Sequence, residues 1–94
     1  GCYRIEDRIH DMDLNGVWAS LNFPSGATGF GGTIFSETKD EALGQACIRA
    51  WNDWLFEEWV SAHPDRIIPL GLTDLRDPAQ GAEEIRRNAK RGFK

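Results

Sequence analysis

Cysteine, histidine and methionine are scarce in this chain of 94 residues. The two cysteines, Cys2 and Cys47, cannot form a disulfide framework, so we expect the reduced environment of the cytoplasm. The two histidines, His10 and His63, have no partner at metal-ligand spacing, and a zinc site needs about three converging ligands. No complete metal centre, catalytic triad or thiol–imidazole pair is therefore expected. The only methionine is Met12, so we expect the chain to be an internal piece of a longer polypeptide.

Long apolar runs and an excess of basic residues are also missing. The uncharged stretch 16–36 contains Asn22, Pro24, Ser25 and five glycines, so it cannot cross a membrane. Charged residues from Arg4 onwards exclude the apolar segment of a signal peptide. The net charge of −4 lacks the basic footprint that nucleic-acid binding requires. We expect neither a membrane nor nucleic acid as a partner.

The first half of the chain has the hydrophobic spacing of a helix and then of a strand. Ile5, Ile9 and Met12 recur at helical spacing, and Asn15-Gly16 is typical of a helix end. Apolar and polar residues then alternate over 17–23, which indicates a strand. A glycine-rich loop is expected from about Ser25 to Ser36.

A long helix rich in tryptophan is predicted next. Thr38 and Glu41 have the spacing of a capping box, so this helix is expected to begin at Thr38 and to end before His63-Pro64. Residues 67–72 indicate a second strand. Because strands alternate with helices, we predict an α/β fold with a parallel sheet. A third helix begins at Asp77-Pro78, and its predicted inward face consists of Ala82, Ile85 and Ala89.

The glycine-rich loop 26–32 does not match a phosphate-binding loop. A G-x-G-x-x-G fingerprint from Gly29 would need a third glycine where Ile34 stands, and the following helix would have to begin at once. Loops at the carboxyl ends of parallel strands are instead where substrate pockets lie. We therefore predict substrate-binding residues here, with an ordinary surface loop as the alternative. The predicted residues are Phe23, Pro24, Ser25 and Phe30.

Two further groups of side chains favour structural roles. Trp51, Trp54 and Trp59 lie at helical spacing, and core or subunit contacts are favoured over a ligand cage. One edge of this helix, Phe56 with Trp59, is expected to meet an inserted segment or a second subunit. Cations near the chain's end complement the dipole of the third helix, which we favour over phosphate binding. These cations are Arg86, Arg87, Lys90, Arg91 and Lys94.

Four segments resemble the amidohydrolase-related family, which includes metal-dependent hydrolases and the aminocarboxymuconate-semialdehyde decarboxylases. The first runs from Arg4 to Val17 and contains the pattern R-x-x-x-M-D-x-x-G-V. The others are the strand ending in Phe23-Pro24-Ser25, the helical segment 50–55, and the segment 64–70 followed by Asp77-Pro78. They cover nearly the whole chain in the family's order. The abundance of glycine in 26–32 departs from the family.

The resemblance implies a fold, an activity and a cofactor. The fold is a (β/α)8 TIM barrel, of which residues 1–94 would form a part with two to three βα units and one long helix. The activity is hydrolysis or non-oxidative decarboxylation of a small carboxylate-bearing substrate, with a homo-oligomer as one form of the parent enzyme. The divalent metal, with zinc as first candidate, would be held by an H-x-H pair upstream and by a histidine and an aspartate downstream. The resemblance therefore assigns no catalytic and no metal-binding residue to this chain.

A function of another class stays open. The chain is alternatively a non-catalytic α/β interaction domain that docks through its tryptophan-rich helix. The flanking reading frame distinguishes the two hypotheses. An H-x-H motif upstream favours the enzyme, whereas a start codon immediately before Gly1 favours the interaction domain.

Overall fold

The computed structural model describes residues 3–94, so Cys2 lies outside the described residues. The helices are α1 (Ile5–Leu14), α2 (Thr33–Ser36), α3 (Glu41–Trp54) and α4 (Pro78–Lys90), and the strands are β1 (Ser20–Leu21) and β2 (Ile67–Ile68). Two 3₁₀ turns, Gly26–Thr28 and Phe30–Gly32, connect β1 to α2. A π-helical segment, Leu55–Val60, continues α3. None of the helices in the described part has the length and apolar character needed to cross a membrane.

The expected partial TIM barrel is wrong. The structure is 58% helical, and its described residues contain only two strands of two residues each. These strands do pair in parallel, with Ser20 opposite Ile67 and Leu21 opposite Ile68. A barrel needs longer strands that are bonded to neighbours on both sides. The chain is therefore a small, mainly helical unit with one short parallel pair.

Side chains take the place of neighbouring strands, and this keeps both strands short. Before β1, the carbonyl oxygens of Val17 and Trp18 accept hydrogen bonds from the Arg66 guanidinium at 3.1 and 2.5 Å. After β2, Pro69 has no backbone N–H to donate to a sheet. The backbone N–H of Leu72 donates to Asn52 Oδ1 at 2.8 Å. The predicted strands 17–23 and 67–72 therefore shrink to two residues each.

Helix α1 follows its sequence prediction. Ile9 and Met12 are buried, and Asn15 ends the helix before Gly16, which has a φ of 70°. Such a left-handed conformation is easiest for glycine. The buried stripe of α1 packs on the π-helical segment and on β2, which confirms its amphipathic pattern. This core consists of Ile9, Met12, Trp59, Val60 and Ile67.

The first residues of α3 differ from the prediction. Asp40, not Thr38, is the N-cap, because its Oδ1 accepts a hydrogen bond from the backbone N–H of Leu43 at 3.0 Å. Asp and Thr are both good capping residues, so local pattern did not separate them. At the other end, the π-helical segment stops at Val60. The helix was predicted to end before His63-Pro64, and it does.

Helix α4 begins as predicted but buries a different face. Asp77 Oδ1 accepts a hydrogen bond from the N–H of Gln80 at 3.2 Å, and Pro78 is the first helical residue. Ile85, however, is 55% exposed, so the predicted face of Ala82, Ile85 and Ala89 is wrong. The side that faces the rest of the chain is largely polar. Its buried residues are Gly81, Glu84 and Asn88.

Candidate functional site

A pocket of about 300 Å³ lies between the residues that follow β1 and the tryptophan-rich end of α3. We call it the aromatic pocket. Its volume is at the lower end of the range of small-molecule sites. Its walls are Arg8, Asn22, Phe23, Pro24, Ser25, Trp51, Trp54, Leu55, Trp59 and Leu70.

Three tryptophan rings form one continuous wall of the aromatic pocket. The ring centroids of Trp51 and Trp54 are 5.2 Å apart, and those of Trp54 and Trp59 are 6.0 Å apart. Both pairs are tilted, by 43° and 48°, which is a favourable geometry for aromatic contacts. Trp59 is only 6% exposed, whereas Trp54 is 39% exposed. The wall therefore runs from the core to the surface.

The π-helical segment brings Trp54 and Trp59 together. In an α-helix of 3.6 residues per turn, side chains five positions apart point about 140° away from each other. The backbone N–H of Ser61 instead donates to the carbonyl of Phe56 at 2.9 Å, an i to i−5 bond. This wider turn places residues five apart nearly above one another. The helical spacing used in the sequence prediction therefore does not describe this contact.

Arg8 supplies the charge of the aromatic pocket. Its guanidinium carbon lies 5.9 Å from the centroid of the Trp59 ring, on the side of α1 that faces the pocket. Among the residues that line the pocket in the described part of the chain, Arg8 is the only ionisable one. An acidic side chain that would repel an anion is therefore missing from these walls.

Two indole nitrogens add unused hydrogen-bond donors. Trp51 Nε1 and Trp59 Nε1 are buried and have no hydrogen-bond partner within residues 3–94. Most buried polar atoms in proteins are paired, so an unpaired donor calls for an explanation. Both of these donors belong to rings that line the aromatic pocket. The two indole nitrogens are themselves buried, so the charged group that the walls present to an anionic ligand is the Arg8 guanidinium.

The residues predicted from sequence fall in two places. Phe23, Pro24 and Ser25 line the aromatic pocket. Phe30 does not line it but stacks on Phe23, with ring centroids 6.0 Å apart and an interplanar angle of 24°. Sequence analysis missed Arg8 and assigned the tryptophans to core or subunit contacts. Trp59 does join the core, yet all three tryptophans also line the pocket.

The histidines do not form a metal site with the other described residues. His63 Nε2 lies 3.0 Å from Glu6 Oε1, and His10 is exposed on α1. Across 3–94, no group of three His, Cys, Asp or Glu residues could hold a metal ion. The Asp13 carboxylate pairs with Arg66 at 2.6 Å. The divalent metal that the family resemblance implies would have its ligands upstream and downstream of these residues, so none of them is assigned as a metal ligand.

A second cluster, the polar network, lies between α3 and α4. Asn52 is 0% exposed and exchanges hydrogen bonds with the backbone of Leu72, donating at 2.9 Å and accepting at 2.8 Å. Its amide also donates to Glu84 Oε1 at 2.9 Å. Arg87 pairs with Glu84 and with Asp53, each at 2.5 Å. The members of the polar network are Asn52, Asp53, Glu84, Arg87, Asn88 and Arg91.

The electrostatics of the polar network are those of a structural element. Burial by itself raises the pKa of Glu84, but hydrogen bonds from Arg87 and Asn52 outweigh it and hold that pKa below its ordinary value. The hydrogen bond to Glu84 in turn raises the pKa of Arg87. Both groups are therefore charged and paired at neutral pH. Arg87 and Arg91 have partners within the chain, which supports the structural role expected for the basic cluster over phosphate binding.

No protein-family model matches the chain, and no curated protein matches it either. The resemblance to the amidohydrolase-related family thus depends on the four sequence segments alone. A function for this chain has to come from the geometry of its own sites, because fold alone does not define function.

Proposed function

We propose that the aromatic pocket binds a small carboxylate-bearing molecule. The observation that carries this proposal is the position of Arg8, the single ionisable group in a wall built mainly from aromatic rings. Guanidinium groups bind carboxylates in proteins through two parallel hydrogen bonds. The tryptophan rings would cover the apolar part of the ligand.

The chemistry of the remaining lining residues agrees with an anionic ligand. Asn22 and Ser25 are neutral, and the described carboxylates lie outside the aromatic pocket. A cation acts more strongly on an anion beside low-dielectric aromatic walls than in open water. Binding at this pocket therefore favours carboxylates over neutral or cationic molecules of the same size.

This ligand class is the one that the family resemblance implies for the substrate. We include in the proposal that the chain is the substrate-binding part of a cytoplasmic amidohydrolase-like hydrolase or decarboxylase. The described residues would contribute substrate contacts and not metal ligands, since they contain no suitable group. Arg8 would orient the carboxylate, and the tryptophan wall would exclude water from the rest of the ligand.

The alternative, an interaction domain that docks through the tryptophan-rich helix, gains less support. Trp59 is buried in the core of the chain itself, and Trp51 is half-buried in the pocket wall. Phe56 packs against the same core. These side chains have partners within the chain, so a second protein is not needed to cover them.

A titration with benzoate tests the proposed function. Tryptophan fluorescence reports binding because three of the four tryptophans line the aromatic pocket. Benzylamine, which has the same ring and the opposite charge, is the matched probe. We expect saturable binding of benzoate and a much weaker response to benzylamine at the same ionic strength.

Two arginine variants on α1 make this test specific. Arg8→Gln should weaken benzoate binding at least tenfold, because a charge-assisted hydrogen bond contributes about 1.5–3 kcal/mol. Arg4→Gln is the control, since Arg4 is the N-cap of the same helix and does not line the pocket. Equal affinities for wild type and Arg8→Gln, or no binding of benzoate to wild type, would contradict the proposal.

A further inference from the structure

Phe30 is adjacent to the aromatic pocket but is not one of its lining residues. It lies in the second 3₁₀ turn and is 71% exposed. Its ring stacks on Phe23, which lines the pocket. A large aromatic side chain so exposed loses favourable burial unless it gains a partner. The contact with Phe23 places Phe30 next to the aromatic pocket.

The backbone around Phe30 is anchored, whereas its ring is mostly exposed and contacts Phe23. The N–H of Gly31 donates to the carbonyl of Pro24 at 3.1 Å, which fastens the turn to a pocket residue. A Cβ at Gly29 would lie 2.4 Å from Thr33 Oγ1, so the chain is also tightly packed just before Phe30. The ring itself extends into solvent. It can therefore change its position by rotation about its side-chain torsions without moving the turn.

We propose that Phe30 is a ligand-contacting residue that rotates from Phe23 over the opening of the aromatic pocket when the pocket is occupied. This inference rests on the proposed function, because it requires a ligand in the pocket. Exposed side chains exchange staggered rotamers within nanoseconds, so such closure does not limit binding. Closure exchanges the stack on Phe23 for contact with the apolar part of the ligand. Phe30 thereby selects ligands whose apolar part reaches the opening.

The test compares benzoate affinity in two alanine variants. Phe30→Ala should weaken binding about fivefold to tenfold, as partial burial of an aromatic ring implies. Leu43→Ala is the control, because Leu43 is also a large exposed apolar residue and does not line the pocket. An unchanged dissociation constant for Phe30→Ala would overturn the inference. Retention of the Arg8 effect in that case would leave the proposed function intact.

A direct measurement of closure uses 4-fluorophenylalanine at position 30. Its ¹⁹F resonance should shift when benzoate saturates the pocket, whereas the same label at Phe93, which is buried against Arg91, should not shift. A label at position 30 that does not respond while fluorescence shows saturation would overturn closure. A wild-type protein that binds no benzoate would overturn both this inference and the proposed function.

Discussion

Trp51 and Asn52 are neighbours in α3, yet they belong to two regions of opposite character. Trp51 points to the aromatic pocket, where two indole donors have no acceptor within the described chain. Asn52 points to the polar network, where its amide is satisfied on both sides. In that network one atom, Arg91 Nε, is buried without a partner.

This difference assigns a structural role to the polar network and a binding role to the aromatic pocket. Buried polar groups that satisfy one another stabilise a particular packing of helices. An open volume lined by aromatic rings and one cation is instead typical of a small-molecule site. The polar network therefore holds α4 against α3, while the adjacent side of α3, which carries Trp51 and Trp54, lines the aromatic pocket.

Removal of Asn52 should produce the largest effect and is the strongest test of the structural role. Asn52→Leu leaves the backbone N–H and carbonyl of Leu72 without their partners, so we expect a loss of about 3 kcal/mol in the free energy of unfolding. Urea denaturation followed by circular dichroism measures it. Gln80→Leu, on the exposed surface of α4, should change stability by less than about 0.5 kcal/mol. Equal stabilities of the two variants would contradict the comparison.

Replacement of Trp54, in the aromatic pocket, should lower benzoate affinity strongly and stability only slightly. Trp54→Leu breaks the continuous ring wall, so benzoate affinity should fall about tenfold. The free energy of unfolding should fall by only about 1 kcal/mol, because the side chain is already partly exposed. Isothermal titration and urea denaturation of the same sample give both values. A stability loss as large as that of Asn52→Leu would make the tryptophan wall structural as well.

Acid should weaken the polar network. The pKa of Glu84 is lowered in the folded protein, so its contribution to stability is present above about 4.5, the ordinary value, and is lost as pH falls through the folded pKa. Asp53 follows the same direction, because its hydrogen bonds from Arg87 and Arg91 outweigh the effect of burial on its pKa. Urea midpoints at pH 7 and pH 3 measure this loss.

A pair of glutamine variants assigns the acid effect to Glu84. Glu84→Gln should reduce the difference between the two midpoints, since the variant carries no carboxylate at that position. Glu83→Gln, which alters the exposed neighbour, should retain the full difference. A difference that is the same in all three proteins would show that Glu84 is not the source of the acid sensitivity.

The smallest effect is expected at Ile85, which the sequence pattern assigned to the buried face of α4. Ile85→Gln should change the free energy of unfolding by less than about 0.5 kcal/mol, because the side chain is mostly exposed. Ile48→Gln should cost about 3 kcal/mol or more, since Ile48 is buried in α3 and would bring an unpaired amide into the core. A large loss in the free energy of unfolding for Ile85→Gln would instead support the predicted buried face of Ala82, Ile85 and Ala89.

Part of the candidate site was predictable from sequence. The end of the first strand was expected to carry substrate contacts, and Phe23, Pro24 and Ser25 do line the aromatic pocket. Arg8 was not recognisable, because its neighbour in the pocket, Trp59, is 51 positions away in the sequence (59 − 8). The tryptophan wall was not recognisable either, since the π-helical turn changes which side chains share a face.

Local sequence determined where α1 and α4 begin or end. Hydrophobic residues four and three positions apart bury one side of α1, and Asp77 with Pro78 starts α4, because these effects act within one or two helical turns. Tertiary structure alone decided the length of the strands, the polar side of α4 and the aromatic pocket. Each depends on partners far apart in the chain, such as Arg66 with Trp18 and Asn52 with Glu84. Two residues that form a hydrogen bond from 32 or 48 positions apart produce no periodic pattern in the sequence. In the folded chain such a hydrogen bond outweighs the weak local preference of a segment for helix or strand.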